Sequence, residues 1–207
     1  AQFYKDTVAF AEEHQVGIVS DFAYGAIGFD GNQPLSFLQT AGAKSVGIET
    51  YTFSKTFNMA GWRVGFAVGN ADMIAALNLI QDHLFVSIFP AIQDAAIAAL
   101  AQRKQRTDAV GQLQAVYESR RNAFINAVRS FNWEPYVPKG AFYVLMPVPK
   151  GYTSAQFAEL LLNRANVAVA DASGFGDAGE GYVRVGLTIT EDRLVEAANR
   201  IKALNLF

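Results

Sequence analysis

Short apolar runs that alternate with helix-like segments are the feature that most restricts the fold of this chain. Apolar or β-branched runs occupy residues 16–19, 45–53 and 64–68, and runs of this length and composition favour β-strands. From residue 71 the apolar residues recur at helical spacing, and residues 90–100 are rich in alanine, which favours a helix. This alternation predicts an α/β protein whose strands are joined by crossovers. We expect the strand at residues 16–19 to be buried.

The second half of the chain predicts a different architecture. A long helix is expected over residues 110–128, because apolar residues recur there at helical spacing. The remaining predicted elements alternate between strand and helix, at residues 141–146, 154–164, 167–170, 182–187 and 191–204. We therefore divide the chain into residues 1–105, part of a larger sheet domain, and residues 106–207, a small α+β domain.

Composition excludes several classes of protein. The chain has 207 residues, of which 51% are apolar, enough for a substantial core. The net charge of -2 comes without any basic run, so a nucleic-acid partner is not expected. No apolar stretch approaches the ~20 residues that cross a bilayer, so we expect no membrane partner and a cytoplasmic location. Cysteine is absent, and His14 and His83 lack further ligands at metal-binding spacing, so no metal site is predicted.

Two cations in an apolar segment are candidates for chemistry. Lys55 follows a predicted strand, where α/β sheets present functional groups. A lysine in such a cleft can form a Schiff base with an aldehyde, although most lysines are solvated surface charges. Arg63, with the hydroxyls of Thr52 and Ser54, offers groups that bind a phosphate monoester. The alternative is an arginine at a strand start that pairs with a surface carboxylate.

Polar residues in or after two other predicted strands leave similar alternatives open. Asp21 follows the first predicted strand, with Tyr24 three residues on. A buried carboxylate there could hold a protonated ring nitrogen, and the phenol could donate to a ring oxygen. A turn aspartate and a packing tyrosine are the alternative. Arg184 lies in an apolar predicted strand, where one interpretation is an ion pair with a buried acid.

Taken together, these residues form motifs of a known family. Residues 21–24 read DFAY, residues 52–65 read TFSKTFNMAGWRVG, and residues 181–187 read GYVRVGL. They resemble the class I/II (fold-type I) aminotransferases, which use pyridoxal 5′-phosphate (PLP). The family's upstream features, a phosphate-binding backbone loop, a stacking aromatic ring and an Asn-Pro segment, are not recognisable. The resemblance therefore covers about the C-terminal half of such an enzyme, the end of the PLP-binding large domain followed by the small domain.

The resemblance implies a role for each residue near the cofactor ring. Lys55 would form the Schiff base with PLP and shuttle the proton at the substrate Cα. Asp21 would pair with the pyridinium nitrogen and keep it protonated, so that the ring accepts electrons. Tyr24 would donate a hydrogen bond to the ring oxygen.

Anion-binding roles follow from the same resemblance. Thr52 and Arg63 would bind the cofactor phosphate, with Ser54 as a further donor. Arg184 would bind the substrate α-carboxylate as a bidentate fork.

A glycine-rich segment at residues 174–179 matches G-x-G-x-x-G. A dinucleotide site would require a helix after it, whereas a strand is predicted, so we reject that interpretation. The segment resembles the family's glycine-rich loop before the carboxylate-binding arginine. Residues 171–173 read DAS where relatives usually have a Pro-Gly pair, which leaves the path of the loop open.

The resemblance implies transamination between an amino acid and a 2-oxo acid in a homodimer. Similarity at residues 152–155 and 174–181 points to a diaminopimelate-type or aspartate-type substrate. Three alternatives stay open: a PLP-dependent C–S β-lyase, a non-catalytic aminotransferase-like sensor domain of a transcription regulator, and an inactive scaffold. Whether this chain alone holds PLP is a further question that the sequence leaves open.

Overall fold

The computed structural model of the protein describes residues 1–104 and 109–207 and divides the chain into two units. The first unit contains residues 1–28 and 33–113, and the second contains residues 29–32 and 114–207. The predicted boundary between residues 105 and 106 lies outside the described residues. The assignment of residues 1–105 and 106–207 to a large and a small domain stays a prediction.

The first unit is built on a three-stranded mixed sheet in the order β1-β2-β3. Its strands are β1 (Ile18–Asp21), β2 (Gly47–Thr52) and β3 (Gly65–Gly69). β1 pairs with β2 in parallel, and β2 pairs with β3 in antiparallel fashion. The helices are α1 (Gln2–His14), α2 (Ala43–Val46), α3 (Phe53–Thr56), α4 (Ala71–Leu84) and α5 (Pro90–Lys104). The predicted α/β alternation of this unit is confirmed.

Local sequence explains where these helices begin. The Asn70 side chain accepts a hydrogen bond from the Met73 N–H at 3.0 Å, which caps α4. α5 starts at Pro90, a residue suited to the first helical position because its missing N–H would have no partner there. An apolar cluster around buried Phe53 and Ala96 packs α5 against the segment that carries α3.

Three expectations for this sheet were wrong. β1 runs over Ile18–Asp21, whereas the strand was predicted at residues 16–19. β1 is not buried throughout: Ile18 and Ser20 are half-buried, whereas Val19 is 63% exposed, because successive side chains point to opposite faces. The predicted strand at residues 45–53 was too long at both ends. Residues 45 and 46 are the last residues of α2, and the strand begins only at Gly47. At the other end, Phe53 already belongs to α3.

The second unit contains an antiparallel sheet in the order β4-β6-β5. The strands are β4 (Tyr143–Pro147), β5 (Ala170–Asp171) and β6 (Tyr182–Gly186). The unit also holds most of α6 (Ala109–Arg129), together with α7 (Ser154–Leu160) and α8 (Glu191–Lys202). α7 continues as one π-helical turn, Leu161–Ala165, so the predicted helix at residues 154–164 has nearly the observed extent.

The two faces of this second sheet differ sharply in burial. The buried face presents Val144, Met146, Val183 and Val185. The other face carries half-buried or exposed side chains, Arg184 among them. The core beneath the buried face is aromatic, and Trp133 donates its indole N–H to the Pro147 carbonyl at 2.8 Å. Among the described residues, no helix is long and apolar enough to cross a membrane.

Candidate active site

Three strand ends meet at one end of the first sheet. β1 ends at Asp21, β2 ends at Thr52 and β3 begins at Gly65. The register aligns Asp21 with Thr50 and Thr52 with Gly65. Because side chains alternate between faces and aligned residues share a face, Asp21 and Thr52 lie on the same face of the sheet. This is the carboxyl end of the parallel pair, the edge where α/β sheets bind ligands.

Lys55 is held just beyond this edge by the start of α3. The Thr52 hydroxyl oxygen accepts a hydrogen bond from the Ser54 N–H at 3.1 Å and so caps the helix. Phe53 is buried and anchors the same turn. The Lys55 Nζ lies 5.9 Å from the centroid of the Tyr24 ring, within the range of a cation–π contact. The structure therefore brings Tyr24, from the loop after β1, close to Lys55.

Asp21 offers a carboxylate to a ligand. Its Oδ1 accepts the Ala23 N–H at 3.2 Å. None of the ion pairs found within residues 1–104 and 109–207 involves Asp21. The side chain is exposed, whereas we expected it to be buried, because it projects from the same face of β1 as exposed Val19.

Arg63 follows the short 3-10 turn Ala60–Trp62 and adopts a left-handed backbone, with φ 52° and ψ 44°. Its Nη1 donates to the Ala60 carbonyl at 3.2 Å. The carbonyl of the next residue, Val64, accepts a hydrogen bond from the Phe53 N–H at 3.2 Å. This bond holds Arg63 next to the segment that carries Lys55. The surface ion pair considered as an alternative is not found in the part of the chain that the structure describes.

Arg184 lies in the second unit, on the less buried face of its sheet. The register places it opposite Leu145 of β4 and Ala170 of β5. Its Cζ lies 4.2 Å from the centroid of the Tyr143 ring and 4.1 Å from that of the Phe175 ring. Within the described residues, no acidic side chain forms an ion pair with Arg184, the alternative considered for it.

The glycine-rich loop before β6 consists of two 3-10 turns, Ala172–Phe175 and Asp177–Gly179. The Asp171 side chain caps the first turn by accepting the Ser173 N–H at 2.8 Å. The loop leads directly into β6, so the rejection of a dinucleotide site is supported. At the position where the resemblance implies a Pro-Gly pair, this chain uses an aspartate cap to start the turn.

Sequence reasoning missed three residues near these groups: Tyr143, Phe175 and Glu49. Glu49 is fully buried in β2, on the face opposite Asp21 and Thr52. A lone acid within the strand segment GIETYT was the available signal for it. Phe175 could have been singled out as the one aromatic residue of the glycine-rich loop. Within the described residues, no group of three or more acidic or histidine side chains could hold a metal ion.

Sequence comparison identifies the class of protein to which this site belongs. The family model described as aminotransferase class I and II matches residues 1–201. The chain therefore belongs to the class I and II aminotransferases, which are PLP-dependent enzymes, and the predicted family, fold class and cofactor are confirmed.

Particular relatives are similar over the whole chain. An L-glutamine–4-(methylsulfanyl)-2-oxobutanoate aminotransferase of Bacillus subtilis (strain 168) is 60% identical over 207 residues, which are 100% of this chain and 51% of the relative. LL-diaminopimelate aminotransferase 2 of Trichormus variabilis is 42% identical, covering 97% of this chain and 51% of the relative. The apo structure of BacF from Bacillus subtilis superposes with a TM-score of 0.93 at 43% identity, covering 100% of this chain and 52% of that one. The chain thus spans about half the length of the curated relatives it matches.

Proposed function

We propose that the whole protein transfers an amino group between an amino acid and a 2-oxo acid with PLP as cofactor. One observation carries the proposal: Asp21, Thr52, Lys55 and Arg63 converge at one end of the first sheet. A carboxylate, a hydroxyl, a primary amine and a guanidinium thus stand near one another at a ligand-binding edge.

The chemistry of this donor set fits PLP. The cofactor has a ring nitrogen that can be protonated, an aldehyde and a phosphate, and each has a complementary group here. The Asp21 carboxylate is the complement of a protonated ring nitrogen. The Arg63 guanidinium keeps donors for a phosphate, since its one hydrogen bond among the described residues goes to a backbone carbonyl. When bound, PLP supplies an aldehyde carbon and a ring that withdraws electrons from the substrate.

Each residue near the cofactor ring would have a role that follows from its chemistry. Lys55 would bond the aldehyde carbon through Nζ with release of water. Once the substrate amine had displaced it, the free amine of Lys55 would move the proton at the substrate Cα. Asp21 would accept the hydrogen bond of the ring N–H and hold its proton in place. Tyr24 would donate its phenolic hydrogen to the ring oxygen.

Anionic groups would be held by hydroxyl and guanidinium donors. The Thr52 hydroxyl accepts the Ser54 N–H and so keeps its own O–H for a phosphate oxygen. Arg63 would add charge-assisted hydrogen bonds, with the Ser54 hydroxyl as a further donor. In the second unit, Arg184 would bind the α-carboxylate of the substrate.

The substrates proposed first follow the 60% identical relative, whose name gives L-glutamine as donor and 4-(methylsulfanyl)-2-oxobutanoate as acceptor. A diaminopimelate-type substrate is the second candidate, supported by relatives such as the 42% identical enzyme. Rates of the whole protein with both donor–acceptor pairs separate the two. We further propose a cytoplasmic homodimer, which sedimentation equilibrium of the whole protein and its location in fractionated cells would test.

The central test is chemical mapping of the lysine. The whole protein is incubated with PLP and reduced with borohydride, and the modified peptide is identified by mass spectrometry. We expect modification at Lys55, none there in Lys55→Ala, and an activity loss of about a thousandfold in that variant.

A matched control and two outcomes sharpen this test. Lys44→Ala removes an exposed lysine of the same unit and should leave the modification at Lys55 intact. Modification at another lysine that persists in Lys55→Ala would contradict the proposal. Release of pyruvate from cystathionine would favour the C–S β-lyase instead.

A further inference from the structure

Two aromatic rings from separate elements contact the guanidinium of Arg184. Tyr143 comes from β4, two residues from the Leu145 position that faces Arg184, so it is a diagonal neighbour on the same sheet face. Phe175 comes from the first turn of the glycine-rich loop. The ring centroids lie 4.2 and 4.1 Å from Cζ, well inside the cation–π range of about 6 Å.

Phe175 does not serve the core of the second unit. The residue is 63% exposed, although its ring contacts Arg184. Its position is nonetheless fixed, since Asp171 caps the turn that carries it. Buried Ser154 fixes the other end of the loop, where its hydroxyl oxygen accepts the N–H groups of Gly181 and Tyr182 at 2.8 and 3.1 Å. A phenylalanine held in place yet exposed indicates a role in what Arg184 does.

The N–H groups of the Arg184 guanidinium remain available to a ligand. Within the described residues, none of the hydrogen bonds or ion pairs uses its side-chain nitrogens, whereas buried Arg121 is paired with Asp30. A cation–π contact with a ring face uses none of the hydrogen-bond donors of a guanidinium, so the N–H groups of Arg184 stay available. A carboxylate is the ligand whose two oxygens match the planar edge of a guanidinium.

We propose that Phe175 and Tyr143 are positioning residues that fix the plane of Arg184 for the α-carboxylate of the substrate. The inference rests on the carboxylate-binding role of Arg184 in the proposed function. A guanidinium already held by two rings loses less freedom when the carboxylate binds, so the rings strengthen binding without touching the reacting atoms.

The test compares two probes in the complete PLP-loaded protein by titration calorimetry. The probes are 4-(methylsulfanyl)-2-oxobutanoate and its uncharged amide, which lacks the carboxylate. Phe175→Leu should weaken binding of the acid about three- to tenfold, the range of one cation–π contact. Binding of the amide should not change, and Phe175→Tyr, which keeps a ring, should restore binding of the acid.

Matched variants separate failure of this inference from failure of the proposed function. Phe10→Leu removes from α1 a comparably exposed phenylalanine, which is 53% exposed, and should leave the binding of both probes unchanged. If Arg184→Gln binds the acid as tightly as the unmodified protein does, the carboxylate-binding role of Arg184 is overturned. Failure of the unmodified protein to bind the acid would overturn that role as well. Loss of acid binding in Arg184→Gln with none in Phe175→Leu would overturn the positioning role alone. Equal weakening of acid and amide by Phe175→Leu would do the same.

Discussion

At the scale of single residues, Glu49 is a buried polar group that joins the first sheet to the segment around Ser36. Its side chain is fully buried, and its carboxyl oxygens accept hydrogen bonds from the hydroxyls of Ser20, Ser36 and Tyr51. The backbone N–H of Phe37 donates to it at 2.8 Å. Ser20 precedes Asp21 and Tyr51 precedes Thr52, so this network lies directly behind the face that carries the candidate site.

Replacing Glu49 should therefore destabilise the protein. In Glu49→Ala the four donors lose their acceptor in a buried place, and we expect the free energy of unfolding to fall by about 3 kcal/mol. Glu49→Gln keeps the shape of the side chain and one acceptor oxygen, so its free energy of unfolding should fall by less. Glu159→Ala, at an exposed position of α7, should change stability by less than about 0.5 kcal/mol. Urea denaturation measures all three, and an unchanged midpoint for Glu49→Ala would show that the network is dispensable.

What could be predicted at this scale depended on the motif. Lys55 and Arg63 were ambiguous when each was considered alone, and the resemblance carried by residues 52–65 gave them separate roles. Glu49 and Phe175 could not be assigned, because their partners are brought to them by the fold. Glu49 contacts residues 36–37 across the unit, and Phe175 reaches Arg184 through a capped turn.

At the scale of secondary structure, the end of α4 is strained. The N–H groups of Phe85 and Val86 both donate to the Gln81 carbonyl at 3.0 Å. Val86 has φ 63°, a left-handed conformation that glycine usually occupies after a helix and that a β-branched residue disfavours. Its side chain is 76% exposed, so little packing offsets that strain.

Val86→Gly should raise the stability of the protein. Relief of the left-handed strain should outweigh the extra freedom of glycine in the unfolded chain, for a net gain of about 1 kcal/mol. Val16→Gly is the matched control, because Val16 is exposed without a positive φ, and there the same change should cost about 0.5–1 kcal/mol. A lower urea midpoint for Val86→Gly than for the unmodified protein would refute the strain argument.

Strong periodicity made the helices easier to predict than the strand limits. α4 begins at residue 71, where the helical spacing was predicted to start, and α5 and α8 lie close to their predicted ranges. The strand predicted at residues 45–53 failed at its ends because capping by Thr52 starts a helix at Phe53 despite its β-favouring side chain. The fold class thus follows from the alternation of patterns, whereas the limits depend on local hydrogen bonds.

At the scale of the whole molecule, one buried arginine helps to hold a short excursion of the chain. Residues 29–32 belong to the second unit, although the residues on both sides belong to the first. Arg121 is 2% exposed, and its two terminal nitrogens donate to the Asp30 carboxylate at 2.7 Å each. Its Cζ also lies 4.8 Å from the centroid of the Phe29 ring. Neither end of this pair could be predicted, since the partners are 91 residues apart.

This pair should make stability depend on pH. Hydrogen bonds from Arg121 hold the pKa of Asp30 below its ordinary value of 3.8. A lowered folded-state pKa contributes stability that is complete above the unfolded value and is lost as pH falls through the folded value. Asp30→Asn, which tolerates the left-handed backbone at φ 56°, should therefore lower the thermal midpoint at pH 7.

The difference in thermal midpoint between the unmodified protein and Asp30→Asn should begin to shrink below about pH 4. It should be smallest once Asp30 is protonated in both the folded and the unfolded state. Thermal unfolding from pH 7 to pH 2.5 measures it, with Asp82→Asn, an exposed aspartate of α4, expected to leave the midpoint at pH 7 unchanged. A difference of constant size across that range would mean that the charge of Asp30 does not contribute to holding residues 29–32 at Arg121.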